Sequence, residues 1–123
     1  MDVLVNQGLF VAVVNGETVG SLRVIEDGAN RNRVVKGERV YIQNFSVHKS
    51  FRRRGYGSEL LAFVLEWYQR QGILEVTLAV ESQNDIAKAL YEKMEFQQIR
   101  ECKDSRQNIT YELLLHKYGK KVL

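Results

Sequence analysis

Between Arg52 and Ser58 the chain reads Arg-Arg-Arg-Gly-Tyr-Gly-Ser, a combination suited to binding a polyanion. Gly55 and Gly57, one residue apart, permit a tight turn that exposes consecutive N–H groups. The amphipathic stretch that follows predicts a helix over 58–71, whose first turn adds unsatisfied N–H donors and the positive end of the helix dipole. Together with Arg52, Arg53 and Arg54, these donors match an anion the size of a diphosphate. Two familiar phosphate loops are excluded. No Gly-Lys-Ser/Thr ending is present, and Leu60 stands where G-x-G-x-x-G requires its third glycine.

The elements that must hold this loop can be read from periodicity. Phe10–Val14 and Val19–Ile25 flank Asn15-Gly16, the signature of a type I′ hairpin. A polar segment, 26–39, reads as a loop. Val40–Val47 reads as a third strand leading into the arginine–glycine turn. On the 58–71 helix, Leu60, Leu61, Val64, Trp67 and Tyr68 form the apolar stripe and Gly72 ends it. Leu74–Val80 alternates as a strand. A second helix over 85–94 places Ile86, Ala87, Leu90, Tyr91 and Met94 at helical spacing. Phe96–Cys102 and Ile109–His116 close the chain as an antiparallel pair. The expected order is β-β-β-α-β-α-β-β, an α+β fold in one domain spanning 1–123.

Composition narrows the function classes. Of 123 residues, 45% are hydrophobic and 27% charged, an ordinary globular mixture. No apolar run approaches the ~20 residues that span a bilayer, so no membrane association is expected. The first residues lack a basic region and a cleavage pattern. One cysteine, Cys102, permits no internal disulfide and suits a reducing, cytoplasmic setting. Two histidines and one cysteine, widely separated, form no zinc pattern. The net charge of +3 comes from clusters at 31–36, 48–54 and 117–121, which read first as solvated surface. No nucleic-acid-binding motif accompanies them, so no nucleic-acid partner is expected. Steep salt-dependent RNA or DNA binding would reverse that.

Taken with its neighbours, the loop resembles the acyl-CoA site of the GNAT superfamily of N-acetyltransferases. Phe45-Ser-Val47, Arg52-x-x-Gly55-x-Gly57, Leu78-Ala-Val80 and Asn84-Asp-Ile-Ala87-Lys-Ala-Leu90-Tyr91 occur in that family's order and spacing. The resemblance spans roughly 8–116 and implies the acyl-CoA N-acyltransferase fold, acetyl-CoA as co-substrate and no metal. It implies that the amides of Arg53, Arg54, Gly55, Tyr56, Gly57 and Ser58 hold the pyrophosphate, helped by the side chains of Arg52 to Arg54. Phe45 and Val47 would line the pantetheine arm, with Asn84 and Ala87 opposite. Tyr91 would protonate the departing thiolate as a general acid. Without the resemblance, Tyr91 reads as a half-buried core tyrosine.

The general base is less defined. Glu81, at the end of the strand before the second helix, is one candidate. Glu38 and His48 read more simply as loop residues, and a water chain held by Gln43 and Asn44 serves equally well. Cys102 reads as a strand residue and His116 as surface. The acceptor implied is a small-molecule or peptide amine. The alternative from another class is a CoA-binding sensor without catalysis.

Two departures from the family pattern stand out. Glu95 replaces the glycine before Phe96, and because a left-handed Glu is costly the helix end is expected to be remodelled. Only 1–9 precede the first hairpin, so the usual N-terminal strand and helices are expected to be mostly missing. The acceptor side would then be open, or completed by a second subunit in a homodimer.

Overall fold

The computed structural model describes residues 1–26, 39–104 and 109–118. The polar loop over 27–38, with Glu38 and the first basic cluster, and most of the basic tail lie outside the described residues. The elements are β1 (Asp2–Asn6), β2 (Leu9–Val14), β3 (Glu17–Glu26), β4 (Arg39–Val47), a 3-10 turn (Lys49–Phe51), α1 (Tyr56–Arg70), β5 (Glu75–Glu81), α2 (Asp85–Lys93), β6 (Gln97–Asp104) and β7 (Ile109–Lys117). They build a seven-stranded sheet in the order β1-β2-β3-β4-β5-β7-β6. Every neighbouring pair is antiparallel except β4–β5.

One strand was not expected. Asp2–Asn6 alternates polar and apolar residues and pairs with β2 through Leu4↔Val11 and Val5↔Phe10. Its turn, Gln7-Gly8, takes positive φ at both residues (48° and 83°), as does Asn15-Gly16 (51° and 80°). Glutamine is not a residue that announces such a turn, so a five-residue strand went unread beside it. The N-terminal strand is therefore present, and among the described residues no helix lies before β2.

Both helices pack on one face of the sheet. Phe10 meets Trp67 and Tyr68 of α1 at ring-centroid distances of 5.7 and 5.8 Å. Its register partners carry that face across the sheet, from Leu22 through Val24, Ile42 and Leu78 to Leu114. Leu60, Leu61, Val64 and Leu65 bury the inner stripe of α1 against it. On α2 the expected stripe is only partly realised. Tyr91 is buried and Ala87, Leu90 and Met94 pack on the core, but Ile86 is 83% exposed. A nine-residue helix presents only a narrow inner stripe, and on its first turn Ala87, not Ile86, falls within it.

The end of α2 also differs from expectation. Glu95 does adopt the left-handed conformation, with φ 68°. The amide of Phe96 donates to Tyr91 O at 2.9 Å and that of Glu95 to Glu92 O at 3.0 Å, the paired bonds of a Schellman cap. Phe96 lies 5.7 Å from Tyr91, centroid to centroid, supplying the hydrophobic contact that accompanies this motif. Tertiary packing of two aromatic rings thus overrides a local penalty of about 1–2 kcal/mol.

His116 is buried rather than on the surface. Its Nδ1 lies 3.1 Å from Met94 O, and its ring packs against Phe96 and Tyr118. Burial pushes its pKa below the usual histidine value, against the upward pull of the Met94 carbonyl. Tyr118 in turn donates to Leu65 O at 2.5 Å, joining β7 to α1.

Candidate active site

The parallel pair β4–β5 is fastened at one end and open at the other. Arg39 donates through Nε (2.9 Å) and Nη2 (2.5 Å) to Glu75, and Thr77 Oγ1 donates to Val40 O at 3.3 Å. The pairing runs from Arg39↔Glu75 to Ile42↔Leu78 and then stops. On its other side β4 stays paired with β3, but the register slips: Ser21 opposes Ser46 while Arg23 opposes Gln43. Asn44, with φ 56°, sits in that bulge. A bulge bends its strand and strengthens its twist. The end of β4, Gln43–Val47, therefore leaves β5 and opens a cleft whose edges are backbone.

The bulge also returns Phe45 and Val47 to the helix-bearing face. A Cβ placed on Gly57 would lie 3.4 Å from Val47 Cγ2, 3.8 Å from Phe45 Cζ and 3.9 Å from Leu90 Cδ2. The start of α1, the end of β4 and the inner side of α2 thus converge on Gly57, where a methyl group would find ordinary contacts and a larger side chain would not fit without displacing a neighbour.

At this point α1 begins earlier than its apolar stripe suggests. Gly55, in the left-handed region at φ 84°, is the N-cap, and Tyr56, Gly57 and Ser58 form the first turn. No side chain caps them. Arg53 is also left-handed, with φ 65°. Alternating left-handed residues ahead of a helix make a concave nest of amides. Among the described residues the N–H groups of Arg53 to Ser58 have no backbone acceptor, the first one satisfied being Glu59, which donates to Gly55 O at 3.0 Å. Uncapped donors at a dipole's positive end form an anion cradle. That feature was legible in the glycine spacing; the left-handed Arg53 was not.

The three arginines divide their roles. Arg52 Nε donates to Val47 O at 2.9 Å, tying the loop to the end of β4. Arg54 lies over the Phe51 ring at 5.6 Å, and Phe51 in turn packs edge-on against Tyr56. All three are exposed, so positive charge surrounds the cradle without filling it.

Asn84 caps α2, its Oδ1 accepting from the amide of Ala87 at 3.2 Å. Its side chain is exposed. Lys88 reaches back to Ser82 O at 3.0 Å and pairs with Glu112 at 3.2 Å, holding α2 on β5 and β7. Tyr91 is buried between Phe45 (6.3 Å) and Phe96 (5.7 Å), and its hydroxyl makes no hydrogen bond to a described residue. Desolvation pushes its pKa up to about 12.

The sheet separates the other candidates from Tyr91. Glu81 is paired with Tyr111 and shares the parity of Thr77, whose partners Tyr41 and Leu115 face away from the helices. Glu81 is exposed on that opposite face, beyond the point where β4 and β5 part. Gln43 and the exposed Ala79 share its face; His48 is exposed beside the 3-10 turn and Cys102 lies on the edge strand β6. Among the described residues no group of histidine, cysteine or carboxylate side chains could hold a metal, and no helix is long and apolar enough to cross a membrane.

The site is thus a sheet whose strands part beside a bulge, with uncapped helix-start amides on one face and the Glu81 carboxylate on the other. The acetyltransferase (GNAT) family model matches residues 2–96. An acetyltransferase of Pectobacterium atrosepticum is 33% identical over 89 residues, covering 72% of this chain and 57% of the relative. The chain belongs to the GNAT acetyltransferase family, and it spans little more than half the length of that relative. A GNAT-family acetyltransferase from Streptococcus pneumoniae superimposes with a TM-score of 0.77 at 23% identity, over 90% of this chain and 66% of that one. The yncA protein of Salmonella typhimurium, solved with its cofactor acetyl-CoA, gives 0.75 at 17% identity, over 94% and 66%. At these identities the likeness establishes the fold.

Proposed function

We propose that this chain is an acetyl-CoA-dependent N-acetyltransferase, moving an acetyl group to a primary amine by direct attack within a ternary complex. The observation that carries this reading is the convergence of the uncapped amides of Arg53–Ser58, Gly57 and the Tyr91 ring on the end of β4 that parts from β5. The cradle fits a pyrophosphate, since it offers donors at a dipole's positive end and no competing side-chain cap. The end of β4 past Ile42, unpaired with β5, suits a thin, flexible arm that hydrogen-bonds like a strand.

The cleft divides the chemistry between the two faces. The thioester is held from the helix side, where the free edge of β4 around Phe45 supplies backbone N–H to the carbonyl oxygen as charge develops there. The amine arrives from the opposite face. Glu81, or a water held by Gln43 and Asn44, takes the proton from the ammonium. The nitrogen lone pair forms the N–C bond, the C–S bond breaks with its electrons on sulfur, Tyr91 delivers a proton to that sulfur, and the second proton shed by the new amide nitrogen passes through solvent to restore the Tyr91 phenol. A phenol whose pKa is raised to about 12 remains protonated, and hence able to donate, across the neutral range.

The test is calorimetric titration with acetyl-CoA, on the wild type and on Gly57→Trp, followed by a thiol-release screen of amines. Micromolar binding lost in the variant, with thiol released only when an amine is present, is the expected result. No binding of acetyl-CoA by the wild type overturns the proposal.

A further inference from the structure

One bank of the cleft carries an uncommitted arginine on the face away from the helices. Leu22 and Val24 are buried in the core, so Arg23 between them stands on the helix-free face, half-buried. It is the cross-strand partner of Gln43, the first residue of β4 past the last β4–β5 pair, Ile42↔Leu78. Beside it on the same face, beyond the bulge, Ser21 opposes Ser46. Among the described residues none of these four side chains makes a hydrogen bond or ion pair. Arg39 on the same face is different, being bound to Glu75, which also has Lys117 at 3.8 Å. That cluster lies four residues back along β4 from Gln43, about 13 Å, so Glu75 is out of reach of Arg23.

The carboxylate on the other bank is Glu81. β3 and β5 stand two strand spacings apart, about 10 Å, and Glu81 lies two residues, about 7 Å, past the level of Gln43, so the two Cα atoms are separated by at least ~12 Å. The two side chains do not pair, and the cleft mouth lies between them. A guanidinium binds carboxylate or phosphate through paired N–H donors, and Ser21, Ser46 and Gln43 add neutral donors around it. A plain ammonium, by contrast, would enter between Arg23 and Arg100, which stands beside Leu113 on the far side of β5, and both would repel it. We infer that the acceptor is a small amine that also carries an oxyanion, a carboxylate or phosphate, and that Arg23 holds this anion while the amine lies at the cleft beside Glu81. The inference rests on the proposed function. Arg23 takes no part in the proton transfers; it selects the acceptor. Arg100 is exposed on the edge strand β6, which makes it the natural control.

Three short acceptors test this at saturating acetyl-CoA: β-alanine, phosphoethanolamine and the neutral-tailed propylamine. One of the two anionic amines should exceed propylamine in kcat/KM by at least ~10-fold, and the better one tells carboxylate from phosphate. Arg23→Gln should raise the KM of that amine at least ~10-fold, with kcat, propylamine turnover and acetyl-CoA affinity little changed, and Arg23→Lys should restore part of the loss. Arg100→Gln removes the same charge and should change each value less than ~2-fold. Circular dichroism checks that each variant folds. Equal use of all three amines by the wild type, or equal effects of Arg23→Gln and Arg100→Gln, overturns the inference. If none of the three is acetylated, NMR titration with the same compounds in the presence of CoA decides. Shifts of the Arg23 side-chain signal with the anionic amines alone keep the anion site and count against the acetyltransferase reading; no shift with any of them overturns the anion site as well.

Discussion

Tyr91→Phe separates chemistry from packing more cleanly than any other substitution in this site. The ring is held by Phe45 and Phe96 at 6.3 and 5.7 Å, contacts that phenylalanine keeps. The hydroxyl has no hydrogen-bond partner among the described residues, so removing it leaves no donor or acceptor unsatisfied. Stability should change by less than about 1 kcal/mol, in contrast to the 3–5 kcal/mol of a truncation to alanine. Loss of a positioned general acid lowers turnover by about 10²–10⁴-fold, or roughly 3–5 kcal/mol of barrier at 1.36 kcal/mol per decade. The assay is single-turnover thiol release with saturating acetyl-CoA and amine, paired with calorimetric affinity for acetyl-CoA, which should be unchanged. Burial raises the Tyr91 pKa from 10.0 to about 12. Folded protein therefore holds this proton more tightly than the unfolded chain, and the group contributes stability that is complete below pH 10 and lost as pH rises toward 12. The variant should fall less steeply over that window. Turnover within about threefold of the wild type would refute the acid role, and a CoA-binding module would have no turnover to lose.

Other outcomes follow from the same geometry. Glu95→Gly should raise stability by about 1 kcal/mol in chemical denaturation, because φ 68° costs glycine nothing. Gly57→Ala should fold normally, since its Cβ finds ordinary contacts at 3.4–3.9 Å, whereas Gly57→Trp sets an indole against Val47, Phe45 and Leu90 and should abolish acetyl-CoA binding by calorimetry. Glu81→Gln should lower kcat/KM for the amine by about 10²-fold with acetyl-CoA affinity intact; an unchanged value would assign the base to the water relay. Burial lowers the His116 pKa below 6.5, so the unfolded chain binds this proton more readily. Stability is full above about pH 6.5 and declines as pH falls below it, and His116→Gln should flatten that decline in urea titrations.

How much of this was legible in the chain depends on how local the signal is. Asn15-Gly16, the α1 stripe and Gly72 are written within a few residues, and the structure places each as expected. The loop glycines and the Asn84–Tyr91 spacing sit within single elements, so the residues that converge at the cleft could be named in advance. What was missed depends on tertiary context. β1 has a short alternation and an atypical Gln7-Gly8 turn. Glu95 is left-handed because Phe96 and Tyr91 pack together, a contact that no propensity encodes. His116, next to a basic tail, reads as surface until β7 is placed beneath the end of α2. Ile86 follows helical spacing but lies at the edge of the stripe, and it is Ala87 beside it that packs on the core.

The site as a whole depends on one irregular residue more than on any reactive one. Without the bulge at Asn44, β4 would keep its pairing with β5 past Ile42↔Leu78, and the backbone groups at the cleft would be spent on the ladder. Phe45 and Val47 would then also exchange faces, since a one-residue slip inverts every side chain beyond it. Phe45 would leave Tyr91, and Val47 would leave the space beside Gly57. The Arg39–Glu75 pair and the Thr77 hydroxyl fasten the opposite end of the same strands, so the opening is confined to the end that α1 and α2 approach. On the proposed function, a strand that is regular at one end and irregular at the other thereby decides where the coenzyme would enter and from which face the acceptor would reach it.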